Sequence, residues 1–246
     1  MLSSFPSRRR SSVVVLHAGD PAVPAVHLVP GGGGQVAPLV PLARALGERR
    51  PVLALASPLA GLRPERFTSV GRLALRHVAD LRRHPHVGPY RLVGLGTGSV
   101  VAFETARLLR REGLEVAVVV AVDGGPGHLG PDHQRPPRPR PWSPGRAAAA
   151  AERRQWDLTM GRWSPRGYDG PLHLLWAEGT ASMGPTQGWG PWAASVHVVR
   201  LPVAHRDLLT DAGTGPLATA LEPLLEDPVA AAPSPAPGSP AGPGPA

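Results

Sequence analysis

The sequence predicts an α/β fold with a mostly parallel central sheet flanked by helices, and three observations carry the prediction. Residues Tyr90 to Pro126 read as one strand–turn–helix–strand unit. An apolar run through Arg91-Leu92-Val93-Gly94-Leu95 breaks at Gly96-Thr97-Gly98, and a helical pattern then runs from Val100 to a stop at Gly113. The second strand of that unit, Glu115 to Val122, is valine-rich and nearly unbroken in apolar character, as expected where both faces are covered. Strand-like and amphipathic helical patterns continue on either side. Gly96 and Asp123 then share the carboxyl rim of the sheet, where such folds place their chemistry.

In chain order, Val13 to Leu16 and Val26 to Val29 read as strands. Pro30-Gly31-Gly32-Gly33-Gly34-Gln35 follows, and then a helix with Leu39, Leu42, Ala43 and Leu46 on one face. The glycines leave the backbone free for positive φ and for close approach of a ligand; the segment is either an anion cradle or a flexible connector. Pro51 to Leu55 is a third strand, and Phe67 to Arg83 an amphipathic helix. His84-Pro85-His86 lies in a Pro/Gly turn without acidic neighbours and reads as solvated loop rather than a metal site. After Asp123 the chain leaves the sheet. An Arg/Pro tract from Pro131 to Arg146 favours extended polyproline conformation, and a helix is expected over Ala147 to Met160. This insertion, about 127–167, reads as lid-like or as a surface loop with a packing helix, with Trp156 and Trp163 as apolar anchors. Leu172–Trp176 and Val196–Leu201 return to strand patterns, separated by a loop holding Trp189 and Trp192. His173 and His197 alternate with apolar neighbours and read as structural. His205 lies just past the last strand, and a helix from Leu217 to Leu225 covers the sheet.

Composition narrows the function classes. The chain has 246 residues and no cysteine, which excludes disulfides, thiolate catalysis and cysteine metal sites. The net charge is +8 with a pI near 11.4, but the arginines are scattered or set among prolines. Lys, Ile and Asn are absent, a mark of GC-rich coding. Nucleic acid is therefore not expected as a partner, whereas a basic face suits an acidic protein. No apolar run approaches the ~20 residues of a membrane span. The expected domain organisation is a basic, disordered N-terminus over 1–12, one domain over 13–226 and a disordered Pro/Ala/Gly tail over 227–246. Arg8-Arg9-Arg10 resembles an export signal, but the apolar stretch after it is short and interrupted; a cytoplasmic protein is expected.

The glycine turn after Leu95 admits two readings. A dinucleotide-binding turn wants G-x-G-x-x-G with an acid about 20 residues on; Gly94-Leu95-Gly96-Thr97-Gly98-Ser99 lacks only the last glycine. A hydrolase elbow wants G-x-S-x-G; Gly94 and Gly98 are its flanking glycines, with Gly96 at the serine position. The turn alone does not choose between them.

Taken together, a glycine loop after an early strand, an elbow, an acid at a strand end and a late histidine follow the α/β-hydrolase order. The segments Val26–Leu46, Gly88–Gly113 with Gly-Pro-Tyr-Arg-Leu-Val-Gly and Val-Ala-Phe-Glu-Thr-Ala-Arg-Leu-Leu, Tyr168-Asp169-Gly170-Pro171 and Pro202–Leu209 resemble the thioesterase domains of polyketide and nonribosomal-peptide biosynthesis. The resemblance implies an α/β-hydrolase fold with a lid-like insertion after the strand ending at Asp123. It implies Asp123 as the acid, His205 as the general base, and the backbone N–H groups of Gly32 and Thr97 as the oxyanion hole. It also implies that Gly31, Leu95, Trp156 and Trp189 line a substrate site. The partner it implies is an acyl- or peptidyl-carrier protein bearing a phosphopantetheine-linked substrate, with no cofactor and no metal. The family's nucleophilic serine falls on Gly96, so no acyl-enzyme can form there. Thr97 is one residue late and Ser99 a full turn into the helix. The expected function is therefore binding of an acyl or peptidyl thioester with release, cyclisation or rearrangement by His205–Asp123 general-base chemistry. The alternatives are an inactive binding or scaffold member of the fold and, third, a nucleotide-binding protein.

Overall fold

Alternation along each strand decides which helices cover which face of the sheet. In β4 (Tyr90–Leu95) Tyr90 and Leu92 join one apolar cluster, whereas Val93 and Leu95 join the other. The same division recurs in β5 (Val116–Val122), where Val119 and Ala121 oppose Val118, Val120 and Val122. A period of two puts successive side chains on opposite faces, so a strand apolar at every position demands cover on both.

The computed structural model describes residues 11–32, 34–57, 69–126, 159–182 and 184–226. Seven strands form one sheet in the order β1-β3-β2-β4-β5-β6-β7. Here β1 is Val13–His17, β2 Val26–Val29, β3 Val52–Leu55, β6 Tyr168–Glu178 and β7 Ala193–Ala204. Among the described residues only the β1–β3 pair is antiparallel; the other pairings are parallel. Helices α2 (Val70–Leu81) and α3 (Gly98–Arg111) pack on the face of Tyr90 and Leu92. Helices α1 (Val40–Ala45) and α4 (Asp211–Glu226) cover the other. Among the described residues, no helix is long and apolar enough to cross a membrane.

Several elements differ from the sequence expectation. The helix after the glycine loop is only a 3-10 turn, Ala37–Leu39, followed by the short α1. Pro38 and Pro41 offer no N–H to a longer hydrogen-bonded ladder, although Leu39, Leu42, Ala43 and Leu46 are all buried as the pattern implies. Strands β6 and β7 run well beyond their apolar centres because they pair with each other along most of their length, across a register shift between Tyr168 and Pro171. Helix α4 starts at Asp211, six residues before the periodic run, and carries Pro216 and Pro223 inside it. The expected helix over Ala147–Met160, the Arg/Pro tract, the greater part of the lid-like insertion and the two termini lie outside the described residues.

Candidate active site

The site is built at the carboxyl ends of β4 and β5, on the rim where parallel strands release their loops. At the end of β4 the chain turns through Gly96 at φ +52° and enters α3 at Gly98. The turn is locked by contact. A Cβ on Gly94 would overlap the backbone of Ser99, and one on Gly98 would overlap the Val29 and Pro30 carbonyls. Gly96 N–H donates to the Val122 carbonyl at 2.8 Å, and Ser99 N–H to the Gly96 carbonyl at 3.0 Å. These glycines are therefore required by close approach of backbones, which leaves Gly96 presented at the bend.

Asp123 follows β5 in left-handed backbone conformation, φ +47°, which few residues other than glycine, Asn and Asp adopt. That conformation turns its carboxyl toward the C-terminal end of β6 and away from the strand direction. Its carboxyl group has no exposed surface, yet it is well supplied with donors. His205 Nδ1–H donates to Oδ2 at 2.6 Å, Thr180 Oγ1–H to the same oxygen at 2.9 Å, and the Ala177 N–H to Oδ1 at 3.0 Å. Burial alone would raise the carboxyl pKa; the bonds from His205, Ala177 and Thr180 outweigh it and hold the group below its ordinary value. His205 opens a 3-10 turn directly after β7, and 61% of its side chain is exposed. Its hydrogen bond to Asp123 raises the imidazole pKa above the ordinary histidine value, against a smaller opposing effect of burial. With Nδ1 protonated against Asp123, Nε2 is the ring nitrogen left for a substrate.

Gly96, Asp123 and His205 come together. An ideal Cβ built on Gly96 lies 3.7 Å from His205 Cε1, ordinary van der Waals contact, and no other atom of the described residues outside its chain neighbours comes within 4 Å. A side chain at Gly96 would meet the imidazole, and among the described residues nothing else stands in the space it would take.

The glycine loop is packed rather than slack. Gly31 sits so close to the end of β4 that a Cβ would overlap the Leu95 carbonyl, and Gly34 presses on Ser57. Gly32, at φ +52°, has open space on its Cβ side, and its N–H donates to Thr97 Oγ1 at 3.2 Å. The two residues expected to form an oxyanion hole are thus bonded to each other. Ser99 is buried, its hydroxyl donating to the Gly94 carbonyl at 3.0 Å.

The substrate-lining expectations fare differently. Leu95 is buried in the core on the α1/α4 face, because position 95 alternates with Gly94 and Gly96 and so points between sheet and helix. Trp189 is wholly buried, lies 4.8 Å from the Phe103 ring, and donates its indole N–H to the Gly124 carbonyl at 2.9 Å. Both side chains are core contacts in this structure. Trp189 instead braces the turn after Asp123, an arrangement the sequence could not signal because its partner is a backbone carbonyl 65 residues away. Trp156 lies outside the described residues. Thr180, which bonds the acid, escaped the sequence reading because a lone threonine after a strand carries no spacing signal. Among the described residues no group of three or more His, Cys, Asp or Glu is placed to hold a metal. His86 stacks on Tyr90 at 4.3 Å, and His173 stacks on His197 at 5.2 Å.

Comparison with known proteins converges on one family. The family described as Thioesterase domain matches residues 24–144. The NocB thioesterase domain from the nocardicin cluster, solved as a covalent complex with a fluorophosphonate nocardicin G analogue, superimposes with a TM-score of 0.76 at 26% identity, covering 87% of this chain and 99% of that one. Among curated proteins, indigoidine synthase of Dickeya dadantii is 37% identical over 90 residues, 36% of this chain and 6% of that protein. Chondramide synthase of Chondromyces crocatus is 32% identical over 149 residues, 61% of this chain and 3% of that protein. Two inactive atromentin synthetases of Paxillus involutus also match, at 34% and 31% identity. The chain thus spans only a small fraction of the curated relatives it matches.

Proposed function

The chain belongs to the thioesterase domain family of polyketide and nonribosomal-peptide biosynthesis, and from that premise we propose that it acts on a carrier-bound acyl or peptidyl thioester without a serine acyl-enzyme. The observation that carries the reading is the Asp123–His205 pair directed at the open position beside Gly96, with the bond at 2.6 Å and the imidazole 3.7 Å from where a side chain would begin. Gly96 stands where the family places its nucleophile. A water, or a hydroxyl or amine of the substrate itself, takes that space and loses its proton to His205 Nε2 as it attacks the thioester carbonyl. The carbon–sulfur bond breaks, and the imidazolium returns the proton to the departing thiolate. Water gives hydrolysis; a substrate hydroxyl or amine gives cyclisation or rearrangement. Asp123 holds the imidazole tautomer and balances its charge in between. A hydrolase that loses one triad member can retain roughly 10³–10⁴-fold catalysis over water, so a dyad with a binding site is chemically sufficient. No step needs a cofactor, and the proposed setting is the cytoplasm, beside the carrier protein that supplies the substrate on its phosphopantetheine arm.

A second reading is favoured by one observation. The Gly32 N–H is already engaged by Thr97, and it must exchange that bond for a substrate oxygen before it can stabilise an oxyanion. A non-catalytic member that only binds the acyl chain or its carrier has no need of the exchange. His205→Ala decides between the two. On acyl-pantetheine substrates and the native carrier-bound intermediate, the catalytic reading expects turnover to fall by roughly 10²-fold or more. Turnover unchanged by the substitution removes His205 from the chemistry.

A further inference from the structure

Asp123 has a hydrogen-bond partner that the proposed reaction leaves without a task. Thr180 donates to Oδ2, the oxygen that also receives His205, while the Ala177 N–H takes Oδ1. Gly179, at φ +73°, turns the chain just after β6 ends at Glu178, and so folds the Thr180 hydroxyl back over the carboxylate. The carboxyl has no exposed surface. Its donors rather than water therefore decide where its oxygens sit and how its charge is shared.

We propose that Thr180 is a positioning residue for the Asp123–His205 pair, holding Oδ2 toward the imidazole and drawing off part of the charge that would otherwise retain a proton there. With two donors on one oxygen and a third on the other, the carboxylate is fixed in rotation. Of the groups on the surrounding elements, Arg206 and Asp207 pair with each other at 3.5 Å, Glu178 and Asp211 are exposed, and the Gly96–Thr97 turn carries no charge. Among the described residues, the charge facing His205 is Asp123 itself. The kinetic consequence of the inference rests on His205 acting as the base; the protonation consequence does not.

The test is an NMR titration of the His205 ring in the full chain, beside rate measurements over pH. Thr180→Val is expected to move the His205 midpoint up by roughly 0.3–1 pH unit, the worth of one shared neutral hydrogen bond. Thr180→Ser is expected to restore it, and Thr180→Ala, which adds no methyl, to repeat the upward move. Native-like circular dichroism checks that each variant is folded. In turnover, Thr180→Val lowers kcat at neutral pH about threefold or more with KM unchanged, and shifts the rising limb of the pH profile by the same interval. A Val variant that titrates like the native protein, or a Ser variant that titrates like Val, overturns the inference. If the midpoint moves as expected but no variant and no native protein turns over thioester, the reaction proposed above falls and the role of Thr180 stands.

Discussion

On the proposed function, Gly96 is the position whose missing side chain prevents an acyl-enzyme. Among the described residues an ideal Cβ there meets only His205 Cε1, at ordinary contact distance, so Gly96→Ser adds a hydroxyl next to an imidazole that is already bonded to Asp123. The cost is backbone strain, since φ +52° is left-handed; about 1 kcal/mol is the expected penalty for a residue bearing a Cβ. Gly96→Ser is expected to raise hydrolysis of acyl-pantetheine at least about tenfold and to make the protein react with a fluorophosphonate probe that leaves the native chain unlabelled. Labelling of the native chain would place a serine nucleophile elsewhere. An unreactive Gly96→Ser variant would show that the Gly32–Thr97 bond keeps the oxyanion hole closed.

The β4–α3 elbow was legible in the sequence because its cause is local: two glycines at fixed spacing bound an apolar strand and an apolar helix face. What the spacing left open was whether those glycines served a dinucleotide or a nucleophile, and both readings put the same residues on the same turn. The contacts of Gly94 and Gly98 explain the spacing without any ligand. Gly94→Ala is accordingly expected to destabilise the protein by about 3 kcal/mol in urea unfolding, as for an overpacked core. Gly113→Ala, where φ is +76° but none of the described residues lies within 4 Å, is the control and is expected to cost about 1 kcal/mol. Equal losses would mean that the Ser99 backbone gives way to a Cβ at Gly94, so that this contact does not select the glycine. Helix α4 shows the opposite case. Its first turns hold Gly213, Gly215 and Pro216, which no propensity argument makes helical. They are helical because Gly213 packs against the Asp207 backbone and Leu217 and Leu221 close the core.

At the scale of the whole molecule, three histidines outside the candidate site are buried among the described residues. His27, His77 and His173 are almost without exposed surface, and burial pushes each down to about 4. Each stays neutral in the folded state while the unfolded chain protonates near 6.5. Between pH 6.5 and about 4 the unfolded state therefore binds more protons, and stability is lost as pH falls, by up to roughly 3 kcal/mol per histidine. Below about 4 that loss stops growing. Thermal unfolding across this range is expected to show the midpoint dropping steeply below pH 6.5, and His173→Leu, whose ring nitrogens lack partners among the described residues, is expected to flatten the drop. A variant that is as acid-sensitive as the native chain would show that His173 finds a proton acceptor in solution.

By itself the sequence determined the order of strands and helices, the two-sided burial of the central strands, the glycine elbow, and the identity of Asp123 and His205 as the residues to watch. Each of these follows from periodicity or from turn chemistry that acts over a few residues. Only the tertiary structure decided that the acid and the imidazole, 82 residues apart, share a hydrogen bond, that Thr180 joins them, that Gly32 and Thr97 bond each other, and that Leu95 and Trp189 belong to the core. Those are distances between segments brought together by the packing of β2, β4, β5, β6 and β7, and no local pattern encodes which side chain a strand end will meet across a sheet.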